Sequence, residues 1–146
     1  MTPQQIQLVC ASFALLRPRA EAFARDLDTR LSALDPTLRS MLDVDPAQHP
    51  GRLMETMGIT IGLLDKPKHL LPPLKLLGAR LAAQGVEAAD YTHIARALQQ
   101  AIEAAPHVAR DAATRQAWQA VMAFVGKTMQ QGAAEAQRAA EMIEFA

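Results

Sequence analysis

Residues Leu77 to Tyr91 read LGARLAAQGVEAADY. Leu77 and Leu81 are one helical turn apart, and Leu74 continues their stripe toward the N-terminus. Gly85 is a natural helix stop, because glycine accepts the left-handed backbone that ends many helices. Tyr91 then begins a second stripe with Ile94, Leu98 and Ile102. The stretch reads as the end of one amphipathic helix, a tight corner and the start of the next. Leu81 and Tyr91 both face inward.

The same period extends outward. Thr2-Pro3-Gln4-Gln5 has the form of a helix start: Thr2 as N-cap, Pro3 at the first helical position and Gln5 in capping-box position. Ile6, Val9, Phe13 and Leu16 share one face, and Cys10 is expected to pack beside them. Pro18 marks a break. Phe23, Leu27, Leu31 and Leu34 form the next stripe, and Asp35-Pro36 opens a short helix to about Leu42. Residues 43–51 read as a polar loop. Leu53, Met57, Ile61 and Leu64 form another stripe, which Asp65-Lys66-Pro67 interrupts. The helix carrying Leu81 is expected over roughly 71–83. After the helix of Tyr91, residues 105–111 are a loop. A final helix starts near Ala112 and aligns Trp118, Val121, Met122, Val125 and Met129. Sustained period-2 alternation is lacking and aromatics are only 4% of the chain, so strands are not expected. The expected fold is all-α, with about seven helices in one domain over residues 1–146.

Composition narrows the function. A chain of 146 residues, half of them hydrophobic, supports one core. Fifteen basic and 15 acidic residues give zero formal net charge, against a general nucleic-acid binder or an anionic-membrane binder. One cysteine allows no internal disulfide and no Cys-based zinc cluster. No apolar run approaches the roughly 20 residues of a membrane span, and no secretory signal is evident, so the cytoplasm is the expected compartment. Glycine-rich phosphate loops and nucleophile elbows are lacking, and no enzymatic activity is expected. No two histidines stand at metal-ligand spacing on one helix.

The order of helices, with Asp35-Pro36 and Arg39, Leu42-Asp43, Pro50, Leu53, Pro72-Pro73, Gln84-Gly85-Val86, Tyr91 and Ala117-Trp118, resembles the bacterial single-domain globins and the globin domain of flavohaemoglobins. The resemblance covers nearly the whole chain. It implies a globin fold with steeply crossing helices around a pocket. It also implies where the functional groups of that family should fall. The proximal iron ligand falls on Leu81, the haem-wedging phenylalanine on Leu42, and the distal tyrosine on Asp28. The last-helix glutamate falls near Ala133. His49, just before Pro50, occupies the distal glutamine or histidine position, after a shortened loop. Of the proximal network only Tyr91 matches.

A protein-held haem iron takes imidazole, thiolate, thioether or phenolate as axial donor. Leu81 supplies none. Asp28 must turn to solvent or meet a partner such as His49 or an arginine, because an unpaired carboxylate in an apolar pocket is strongly disfavoured. Two readings stay open. In the first, the protein is haem-free, with no cofactor. Its pocket, lined by Leu27, Leu42, Leu53, Met57, Leu77, Leu81 and Ile94 with Tyr91 nearby, takes a small apolar ligand or serves a sensing or interaction role. In the alternative, haem b binds with His49 as the sole axial ligand and reacts with O2, NO or CO. A haem-dependent oxidoreductase is a weaker third reading. It would need both the haem and an external electron donor, since no reductase domain is evident.

His69 reads as a surface or capping residue, His93 as facing away from Tyr91's side, and His107 as a loop residue. Tyr91 is expected to pack with one hydrogen bond. The tail, AAEAQRAAEMIEFA from Ala133, suits a helix extension with an apolar end at Met142, Ile143 and Phe145. It either folds back on the domain or makes a homo-oligomer through the C-terminal helix.

Overall fold

A computed structural model describes residues 1–41 and 48–144, apart from the side chains of 39–41. Within them the chain forms α1 (Pro3–Leu16), a 3-10 turn (Arg17–Arg19), α2 (Ala20–Leu34), α3 (Pro36–Met41), α4 (Pro50–Gly62), α5 (Pro67–Ala83), α6 (Ala88–Ala104) and α7 (Ala112–Glu144). Strands are absent among the described residues. The all-α expectation and the helix number are met.

Local chemistry explains most boundaries. The Thr2 hydroxyl accepts from the Gln5 N–H at 3.1 Å, and the Thr2 N–H donates to Gln5 Oε1 at 2.9 Å. This closed box starts α1 as its sequence requires. Pro18 lies in the 3-10 turn between α1 and α2. The Asp35 carboxylate accepts from the Leu38 N–H at 3.0 Å and starts α3. α4 begins at Pro50, inside the stretch expected to be loop, because proline suits the first helical position. α5 likewise begins at Pro67 rather than near Leu71. Pro72 and Pro73 stand inside it, on its exposed side. The carbonyls they leave without helical donors, on Lys68 and His69, belong to exposed residues.

α7 is the spine. α1 and α5 both pack on it, while α2 packs on α6 and α4. Trp118 of α7 is 2% exposed and donates its indole N–H to the Ser12 hydroxyl of α1 at 2.7 Å. That bond turns the Ser12 edge of α1 into the core. Cys10, on the other flank, is therefore exposed rather than packed.

The α5–α7 crossing is a backbone contact. A Cβ on Gly78 would overlap the Met129 main chain, and one on Gly132 would overlap that of Lys75. Lys75 also pairs with Glu135 at 3.0 Å. Gly132 is the last buried residue of α7. Beyond it the helix continues, and residues 134–144 are exposed. Past the Lys75–Glu135 pair the tail does not fold back on the domain: its described residues stay exposed. Phe145 lies outside the described residues.

Candidate functional site

Leu81 sits in a helix end built to a fixed pattern. Val86 N–H donates to the Leu81 carbonyl at 3.0 Å, and Gly85 N–H donates to the Ala82 carbonyl at 3.0 Å. Gly85 has a φ of 103°, which an L side chain rarely adopts. This double closure is the Schellman arrangement, and Val86, buried, follows the glycine as its apolar contact requires. The Leu81 side chain is half-buried and packs against the core. Position 81 presents carbon and hydrogen only.

Tyr91 follows from the start of α6. The Asp90 carboxylate accepts from the Glu87 N–H at 2.7 Å, closing a capping box around Glu87. Tyr91 stands at the next position and is 8% exposed. Its hydroxyl is buried and has no hydrogen-bond partner among the described residues, contrary to the expected single bond. Burial, and secondarily the Asp90 charge, push the phenol pKa up, so the orphaned group is a neutral O–H.

His49 occupies the N-cap position of α4, with φ −129° and ψ 57°, and its side chain is exposed and makes no capping bond. Asp28 is half-buried and engaged with a partner. Ala133 is half-buried beside the Gly132 contact. Leu27 is buried, and Leu53, Met57, Leu77 and Ile94 are partly buried against the same core as Leu81. Leu42 lies outside the described residues. His69 is exposed, and His107 holds a φ of 67° in the loop before α7.

Two features were not read from the sequence. The first is a cluster at the α2–α3 corner, where Asp35, Asp90 and His93 bring one ligand atom each within 4.8 Å of one another. His93 Nδ1 lies 3.3 Å from Asp35 Oδ2. Each carboxylate already caps a helix, which accounts for both being there. Residues 55 apart in the chain carry no spacing signal that could have joined them. The second is a groove of about 790 Å³ between α6 and α7, which of the expected pocket residues only Tyr91 lines. Its lining mixes small side chains with glutamines and charged residues, a composition that reads in sequence as an ordinary solvated helix face.

Comparison with known proteins follows the same line. A globin family profile matches residues 39–129. An engineered carbene transferase from Rhodothermus marinus, assigned as a nitric oxide dioxygenase, superposes with a TM-score of 0.79 at 22% identity, over 97% of this chain and 99% of that one. A bacterial globin from Campylobacter jejuni superposes with a TM-score of 0.76 at 17% identity, over 92% of this chain and 97% of that one. Comparison with curated protein sequences finds no match. None of the described helices is long and apolar enough to cross a membrane.

Proposed function

The chain belongs to the globin family, and on that premise we propose that it is a haem-free globin, acting as a sensing or interaction module or as the binder of a small apolar ligand. The observation that carries the reading is the pair Leu81 and Tyr91. One offers no donor atom, and the other keeps a buried hydroxyl with no hydrogen-bond partner among the described residues. The donor set does not fit an iron held from α5, because hydrocarbon cannot replace an axial imidazole. A hydroxyl left buried without a partner costs on the order of 1–3 kcal/mol. Such a cost is consistent with a polar network that has lost its other members. The half-buried residues Leu53, Met57, Leu77, Leu81 and Ile94 give any ligand an apolar surface.

The alternative takes haem from the α4 side. His49 is exposed and makes no side-chain capping bond, which supports its imidazole as the ligand. A dioxygenase activity, taken from the Rhodothermus marinus neighbour, depends on that alternative, because oxygen chemistry needs a redox centre. The test is the visible spectrum of protein purified from haem-supplied cells. The haem-free reading expects no stoichiometric Soret band. A Soret band that His49→Ala abolishes would establish the alternative instead.

A further inference from the structure

We propose that the α6–α7 groove is the docking surface for α7 of a second copy of this chain, packed antiparallel about a twofold axis near Gln131. This goes beyond the haem-free reading and does not depend on it.

α7 is 33 residues long, about 50 Å at helical rise. The core uses it only to Gly132. Residues 134–144 of the remaining helix are exposed, with Met142 at 74% and Ile143 at 79%. The groove begins where that overhang begins. Its α7 wall runs from Gln119 to Ala134. Its lining includes the small residues Ala95, Ala123, Gly126 and Ala134. A Cβ on Gly126 would meet nothing within 4 Å. Small residues along the α7 wall let a second helix approach closely, and the overhang presents its own Ala136, Ala139 and Ala140.

Charge selects the occupant. Arg96 and Lys127 line the groove, and neither forms an ion pair among the described residues. Glu103, also in the groove, is paired with Arg115 at 3.5 Å. On the overhang, Glu141 and Glu144 have no ion pair among the described residues. The groove thus offers the unpaired cations Arg96 and Lys127, and the tail, which also carries Arg138, offers the unpaired anions Glu141 and Glu144. An antiparallel pair centred near Gln131 sets the partner's Ala136 opposite Gly126, the partner's Ala139 opposite Ala123, and the partner's Ile143 near Gln119. Both tails are covered at once, as an isologous contact requires.

Light scattering on the full chain across a dilution series is expected to give about twice the 15.8 kDa chain mass. Ala123→Arg, at an exposed position, should weaken the dimer by at least about tenfold while circular dichroism stays helical. In a Cys10→Ser background, Gln131→Cys should form an inter-chain disulfide and Met142→Cys should not, because antiparallel packing holds the two 142 positions about 33 Å apart. A monomer at every concentration would overturn the proposal. So would a dimer that ignores Ala123→Arg, or one that cross-links through Met142→Cys.

Discussion

Gly78 of α5 lies directly against the main chain of Met129 in α7, so close that a Cβ at position 78 would overlap the Met129 carbonyl. Gly132 makes the reciprocal contact with Lys75. Two glycines, one on each helix, set how α5 sits on α7, and α5 carries Leu81. The placement of Leu81 therefore rests on backbone approach as well as on side-chain packing.

Gly78→Ala should cost about 2–3 kcal/mol, because carbonyl atoms cannot rotate aside as a flexible side chain can. Gly62→Ala is the control. A Cβ there meets nothing within 4 Å, and stability should rise by roughly 0.5 kcal/mol. Urea unfolding of the two variants measures both. Equal effects would mean that the helix crossing is looser than described.

Ser12→Ala should cost about 1–2 kcal/mol, because it strands the buried indole N–H of Trp118. Trp118 is the only tryptophan, so its fluorescence reports the site directly. The folded-state emission should change with the substitution, and the unfolded-state emission should not.

Leu81→Ala should cost about 1–2 kcal/mol, less than a fully buried leucine because Leu81 is half-buried against the core. Its visible spectrum should match that of the parent. A spectral change on this substitution would give position 81 a role at a chromophore.

Acid should reveal the Asp35 corner. The Leu38 N–H, and then His93, hold the Asp35 pKa below the usual carboxylate range, against opposing desolvation. A depressed folded pKa gives stability that is present above the unfolded value of about 3.9 and is lost as pH falls through the lowered folded value. Asp35→Asn should reduce stability at neutral pH and flatten the acid limb, so the two curves converge at low pH. Asp111, lowered by its bonds to Thr114, leaves a residual slope in both.

The fold was legible because its signals are local. The Thr2–Gln5 box, the glycine stop at 85 and the apolar stripes each act within a few residues, and each has its element in the structure. The starts of α4 and α5 were harder to read, because Pro50 and Pro67 resemble breaks until they are seen as first helical residues. The exposure of Cys10 was not legible. It depends on a Trp118–Ser12 bond that spans 106 positions. The orphaned Tyr91 hydroxyl and the Asp35–Asp90–His93 cluster are likewise products of tertiary placement. Leu81 stood out in the sequence because the motif around it is local. The state of its pocket depends on helices far apart in the chain.

The most direct test of the central claim is a haem titration of the purified chain, followed in the Soret region with a pyridine haemochrome assay for stoichiometry. The account predicts no saturable Soret band at one haem per chain, in the parent or in His49→Ala. A saturable band at one haem per chain in the parent would contradict it, and loss of that band in His49→Ala would assign the iron to His49.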